Sequence, residues 1–278
     1  MLAHYSAGSP HAPLVVLVHG VTDAATSWAE LITHLAPTRH VVAIDMLGHG
    51  LSPRYTAATL QSPGDAGAAA FEETLDYLVA AHGTAVLIGH SMGGSIVASV
   101  ASKRPELVAG LILEDPAWLS SEQTTAYHTH TQEYLSYAQR VWRADPEQTI
   151  AQNVTERGLR APGIERPGAD GTRGWSVPDH TGWAFGKGLT DLALIENGSV
   201  AVSQPWQEIA RSLAIPTVVI TSDGPDIVIG KRGAKEIAEL GNQLITIEWI
   251  PGVGHNVRRS APQKYEKIVD RCLAQWQP

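Results

Sequence analysis

Six short apolar runs punctuate the chain, at residues 14–19, 41–45, 85–89, 110–114, 217–221 and 244–250. The first five hardly alternate polar with apolar, the pattern of strands covered on both faces of a parallel sheet. The sixth alternates more and is expected nearer an edge. Segments with helical signals separate these runs. Thr26 or Ser27 can cap a helix reaching Leu35, and residues 65–82 form a second, closed by Gly83. A third follows Ser91 and must stop before Pro105, and residues 261–276 form the last. Strand and helix in alternation predict an α/β fold with a doubly wound, mostly parallel sheet.

That rhythm breaks between Pro116 and Pro216. About a hundred residues lie there, where a crossover needs only about a dozen. Within them, residues 122–142 carry Tyr127, His130, Tyr134, Tyr137 and Val141 at three- and four-residue steps, one face of a helix. Asp145-Pro146 is an N-cap followed by a first-turn proline. Residues 158–174, rich in Gly, Pro and charge, are expected to be loop. Five of the eight tryptophans (Trp118, Trp142, Trp175, Trp183 and Trp206) fall in or at the edge of this stretch. Aromatic helices inserted late in a sheet predict a helical cap over residues 116–216, set on a core of 1–115 and 217–278. Extra core helices without a ligand role are the bland alternative.

Composition narrows the function classes. Apolar residues make up 44% and charged ones 17% of 278 residues, enough for a sizeable core. A net charge of −8 argues against nucleic acid or an anionic membrane as partner. Cys272 is the lone cysteine, which excludes an internal disulfide framework or a thiolate cluster. No run of about 18 apolar residues exists to span a bilayer, and no export signal is read at the N-terminus. A soluble cytoplasmic protein is expected.

The chemistry concentrates in Gly89-His90-Ser91-Met92-Gly93-Gly94, directly after one strand and directly before a helix. A strand-to-helix turn this tight needs small flanking residues and leaves the serine hydroxyl exposed at a helix N-terminus. Serine needs a base with a pKa near neutrality. Among twelve histidines, His255 sits in a glycine-rich turn after the last strand, at the carboxyl edge where an open α/β sheet gathers its site. His4, His11, His34, His40 and His82 read as loop or helix-surface residues. His49 and His90 read as neighbours and turn formers. His128 and His130, two apart on a helix, cannot share a metal. His19-Gly20-Val21-Thr22 ends the first strand and can aim the Val21 N–H at the same point as the Met92 N–H, making an oxyanion hole. Asp45 to Ser52 makes a tight loop after the second strand, without an evident chemical role.

These motifs, in their order, resemble the α/β-hydrolase superfamily over nearly the whole chain, with the cap where that family inserts it. Before Leu14 there is room for one strand, not the usual leading hairpin. The resemblance implies a serine hydrolase in which Ser91 attacks, His255 is the base and an aspartate orients it, with neither metal nor organic cofactor needed. Most relatives place that acid in a turn that reads Asp223-Gly224-Pro225-Asp226 in this sequence, and the usual position falls on Pro225. Some relatives, such as the zearalenone lactonases, take it after the strand that follows the nucleophile helix, which is Asp115 in this chain. Asp115 is therefore the leading acid, with Asp226 its rival and Asp223 a third. The expected substrate is a small apolar or aromatic ester or lactone, with Trp183 in a Gly-Trp-Ala-Phe-Gly stretch leaning over the site. The rivals are a lyase or cofactor-free oxygenase on the same fold, or a receptor-like ligand-binding module.

Overall fold

The computed structural model describes residues 1–169, 173–224 and 226–276. Seven strands form one sheet: β1 (His4–Ala7), β2 (Leu14–Val18), β3 (His40–Ile44), β4 (Ala85–His90), β5 (Val108–Glu114), β9 (Thr217–Thr221) and β10 (Ile245–Trp249), in the spatial order β1-β3-β2-β4-β5-β9-β10. All pairs are parallel except β1 with β3. β1 is the one strand before Leu14 and forms one edge, and β10, whose run alternates, forms the other. β2 through β5 and β9 are buried almost throughout, as strands covered on both faces must be.

Period-two geometry divides the core in two. Val16, Val18, Val42, Ile44, Leu87, Leu111, Leu113 and Val219 face α2 (Pro63–His82) and α3 (Met92–Lys103), along with Phe71, Leu75 and Ile96. Val15, Leu17, Val41, Val86, Ile88, Ile112, Val218 and Ile220 pack with Trp28, Leu31 and Leu35 around α1 (Ala29–Leu35) and with Tyr265, Ile268 and Val269 of the helix Pro262–Trp276. Thr26 and Ser27 do not cap α1. They lie within a 3-10 turn, Ala25–Trp28, that runs straight into it.

The chain leaves β2 for β3 on one side and then crosses to β4 on the other. The crevice at the carboxyl ends of β2 and β4 is therefore the switch point where an α/β sheet binds ligands.

Between β5 and β9 lie α4 (Ser121–Thr129), α5 (Thr131–Tyr137), a π turn at Ala138–Trp142, α6 (Pro146–Arg157), α7 (Val177–Gly188), α8 (Leu192–Asn197) and α9 (Trp206–Ser212). The single helix expected over 122–142 is broken at His130, where α4 ends and α5 begins. Asp145 does cap α6, accepting from the Gln148 N–H at 2.8 Å. The stretch 158–174 is not all loop: β6 (Leu159–Ala161) and β7 (Ile164–Arg166) form a hairpin, and β6 pairs with β8 (Trp175–Ser176). Three-residue strands are too short for alternation to register in the sequence. Among the described residues, no helix is long and apolar enough to cross a membrane.

Candidate active site

Ser91 stands between β4 and α3 with φ 52° and ψ −119°. Its N–H donates to the Glu114 carbonyl at 3.0 Å, so the neighbouring strand holds the turn in place. The tightness explains the glycines. A Cβ on Gly89 would meet Gly94 Cα at 2.7 Å, and one on Gly93 would meet the Val18 carbonyl at 2.3 Å. The first N–H groups of α3, Met92 included, lie past the reach of intrahelical acceptors.

Three non-glycine residues among those described have positive φ: Thr22, Ser91 and Asp115. All three lie at strand carboxyl ends around one crevice, and strain of this kind gathers at functional sites.

Asp115 follows β5, and its carboxylate is fully engaged. Oδ1 accepts from Thr221 Oγ1 at 3.1 Å and the Ile229 N–H at 3.0 Å. Oδ2 accepts from the Val228 N–H at 2.8 Å and from His255 Nδ1 at 2.5 Å. Asp226 instead takes the backbone N–H of His255 at 3.0 Å and lies 3.7 Å from Arg157. Asp223 accepts from the Gly252 N–H at 2.8 Å and shapes the turn. Of the three carboxylates, only Asp115 bonds the imidazole. Pro225 lies outside the described residues.

With Nδ1 committed to Asp115, the free nitrogen of His255 is Nε2. Burial pushes the His255 pKa down, but the Asp115 bond and charge, with Asp226 and Glu114 behind them, leave it above the ordinary imidazole value. His90 donates through Nε2 to the His255 carbonyl at 3.0 Å, its ring 4.7 Å from the His255 ring. Burial, then the nearby His255 and arginine charges, pull the His90 pKa well down and keep it neutral.

The loop after β2 is held by two histidines. His19 Nε2 accepts from the Met46 N–H at 3.0 Å, so Nδ1 carries the proton and donates to the Gly20 carbonyl at 2.7 Å. The Asp23 N–H reaches the same carbonyl at 3.2 Å. In a trans peptide the next N–H, that of Val21, points the opposite way. His49 Nε2 accepts from the Thr22 N–H at 3.1 Å, and its Nδ1 donates to the Leu47 carbonyl at 2.9 Å. Burial, then the charge of His19, lowers the His49 pKa to about 3, which fixes the ring as an acceptor. The loop from Asp45 to Ser52 thus has a structural purpose that its sequence did not disclose. Asp45 itself ties down the Ala25 N–H at 2.8 Å and the Leu51 N–H at 3.0 Å.

A cavity of about 340 Å³ opens over Ser91, lined also by Val21, His255, Tyr127, Tyr134, Trp142, Trp183 and Ile195. Of the five tryptophans in the inserted segment, Trp142 and Trp183 reach it. Trp118 and Trp206 stack on each other at 5.3 Å and are buried, and Trp175 lies under Arg259. Tyr137 turns away and donates to Gln152. His40 is also no surface residue: it begins β3, buried, with its ring 4.3 Å from that of His82.

Three cations on the cavity wall, Arg157, Lys187 and Arg259, had no signal in the sequence. Arg259 donates to Asp23 at 2.6 Å and Asn256 at 2.8 Å, while Arg258 donates to Glu114 at 2.9 Å. Burial raises the Asp23 pKa, but Arg259, Lys187 and Arg258 outweigh it and bring it to about 2.

The chain belongs to the alpha/beta hydrolase fold family, whose profile matches residues 13–153. It is 39% identical over 115 residues to lipase LipV of Mycobacterium tuberculosis, a match that covers 41% of either chain. An uncharacterized protein of Mycobacterium bovis, Mb2734, is 27% identical over 281 residues, covering 96% of this chain and 76% of its own. The crystal structure of E-2-(acetamidomethylene)succinate hydrolase shares the fold with a TM-score of 0.76 and 20% identity, over 98% of this chain and 95% of that one.

Proposed function

We propose that the protein is a serine hydrolase that cleaves the carboxylic ester or lactone of a small molecule through an acyl-enzyme, with residues 116–216 as its cap. The observation that carries this reading is the Asp115–His255 bond at 2.5 Å on the wall of the cavity that also holds a strained Ser91. His255 Nε2 takes the proton of Ser91 Oγ as that oxygen bonds to the acyl carbon. The N–H groups of Val21 and Met92 receive the oxyanion. Collapse expels the alcohol, which takes the proton from His255, and a water activated by the same imidazole releases the acid. Asp115 holds the ring with Nδ1 protonated and stabilises the imidazolium. Trp183, Trp142, Tyr127 and Tyr134 supply flat apolar walls for the substrate. The identity shared with the lipase LipV over 115 residues supports the hydrolase reading.

The test is a fluorophosphonate probe together with turnover of nitrophenyl esters. Wild-type protein labels at Ser91 and turns over, and Ser91→Ala loses activity by about 10⁵–10⁶-fold. Labelling without turnover would shift the reading to non-hydrolytic chemistry or a ligand receptor. A variant retaining a tenth of the rate would remove Ser91 as nucleophile.

A further inference from the structure

We propose, resting on that hydrolase reading, that the substrate bears a carboxylate, and that Lys187 recognises it from between the indoles of Trp142 and Trp183. Lys187 sits on α7, and its Nζ lies 5.2 Å from the centre of one ring and 4.7 Å from the other. Its protein acceptors are the carbonyl and hydroxyl of Thr22, the former at 3.0 Å. Both oxygens are neutral, and an ammonium has three N–H groups to place. Among the described residues Nζ forms no ion pair. The carboxylate whose charge acts on it, Asp23, is shared with Arg259 at 2.6 Å and Arg258 at 3.8 Å.

A buried ammonium whose neighbouring carboxylate is already shared with two arginines is left short of negative charge. Chains tolerate this when a ligand supplies the missing charge. Lys187 faces the same cavity as Ser91 and His255, so an anion bound there is substrate. Arg157, on the same wall and only 3.7 Å from the half-exposed Asp226, adds positive charge. Asp23 and Asp226 also line the cavity and disfavour a dianion, which points to a single carboxylate rather than a phosphate. Burial lowers the Lys187 pKa to about 8, so the ammonium remains mostly charged at neutral pH. The apolar or aromatic ester or lactone expected from the sequence gains an acid group in this proposal, with aromatic walls for its body and a cation for its carboxylate.

The test compares ethyl hydrogen succinate and butyryl glycolate, which carry the carboxylate on the acyl or the alcohol half, with neutral ethyl butyrate in a pH-stat. The expected result is a kcat/KM at least about tenfold higher for one of the anionic esters, the size of a desolvated charge pair. Lys187→Met lowers all rates, because Thr22 loses its tie, but the anionic ester falls about tenfold further, through KM. Lys187→Gln keeps a donor for the Thr22 carbonyl and loses the same preference, which separates charge from loop support. Turnover of ethyl butyrate with no wild-type preference, or equal losses on both substrates in the variants, overturns the carboxylate proposal and leaves the hydrolase standing. Absence of turnover on every ester overturns both.

Discussion

Asp115 Oδ2 accepts the Nδ1 proton of His255 at 2.5 Å, across 140 residues of sequence. Losing that acceptor while keeping its shape removes the correct tautomer and the support for the imidazolium, at a cost of roughly 10⁴-fold in kcat. Asp115→Asn is expected to show that loss. Asp226→Asn, which loosens only the backbone N–H of His255, is expected to stay within about tenfold of wild type. Steady-state kinetics of the two variants in parallel check the assignment, and the reverse ranking would hand the role to Asp226.

The pH profile follows from the raised His255 pKa. The base must be neutral to accept the Ser91 proton, so kcat/KM climbs as pH rises through the folded pKa, with its acid limb shifted above that of an ordinary imidazole. Stability runs the other way. A histidine with a raised pKa contributes fully below its unfolded value, and that contribution fades as pH rises through the folded one. In the residual activity of Asp115→Asn the acid limb moves to lower pH, and an unmoved limb would assign it to another group.

Gly20 packs against the turn that carries Ser91. A Cβ there would lie 3.0 Å from His90 Nδ1 and 3.1 Å from Ser91 Cβ, so the loop carrying Val21 has to give way. Gly20→Ala is expected to lower kcat by about 10²-fold, the scale of losing one oxyanion donor, with KM nearly unchanged. A melting temperature near wild type would show that the loss is chemical rather than structural.

Asp23→Asn leaves Arg259 buried with its counter-ion gone. Stability should fall by about 3 kcal/mol, seen as a lower denaturant midpoint. Because the native pKa of Asp23 is depressed to about 2, its contribution stands above the ordinary carboxylate range and is lost only as pH falls toward 2. A wild-type midpoint for the variant would mean that Asn256 and the ring of Trp175 suffice for Arg259.

Trp183→Ala should raise KM for a bulky aromatic ester far more than for nitrophenyl acetate. Equal effects would return Trp183 to a packing role.

Much of the frame was legible because it is local. Uninterrupted apolar runs such as 85–89 announce buried strands, and Gly89, Ser91 and Gly93 sit within one turn whose geometry permits little else. The acid was not legible in the same way. Asp115, Asp223 and Asp226 all end strands or turns near His255. Which of them meets the ring depends on how the end of β5 lies against Val228 and Ile229, contacts more than a hundred residues apart. His49 looked like part of a tight turn because its partner, the Thr22 N–H, belongs to a different loop. Lys187 stands between two glycines, where a charge ordinarily reads as solvated. Gly186 instead brings α7 down onto the loop after β2 and buries it. The hairpin of β6 and β7 is too brief to leave a periodicity.

The glycines of α7 bear on how a substrate arrives. A Cβ on Gly182 would meet the Thr26 carbonyl at 2.4 Å, and one on Gly186 would meet Asp23 backbone carbon at 2.6 Å. Backbone lies on backbone there, with the Lys187–Thr22 tie and the Arg160–Glu30 ion pair alongside. By contrast, α4 buries none of its residues and α5 only Thr131. One flank of the roof is thus seamed to the floor, and the other is held more lightly, through bonds such as that from Gln123 Nε2 to the Val228 carbonyl at 2.9 Å. Tyr127 and Tyr134 of that lighter flank line the cavity over Ser91, so a molecule bound there meets two phenol rings carried by the less anchored part of the cap.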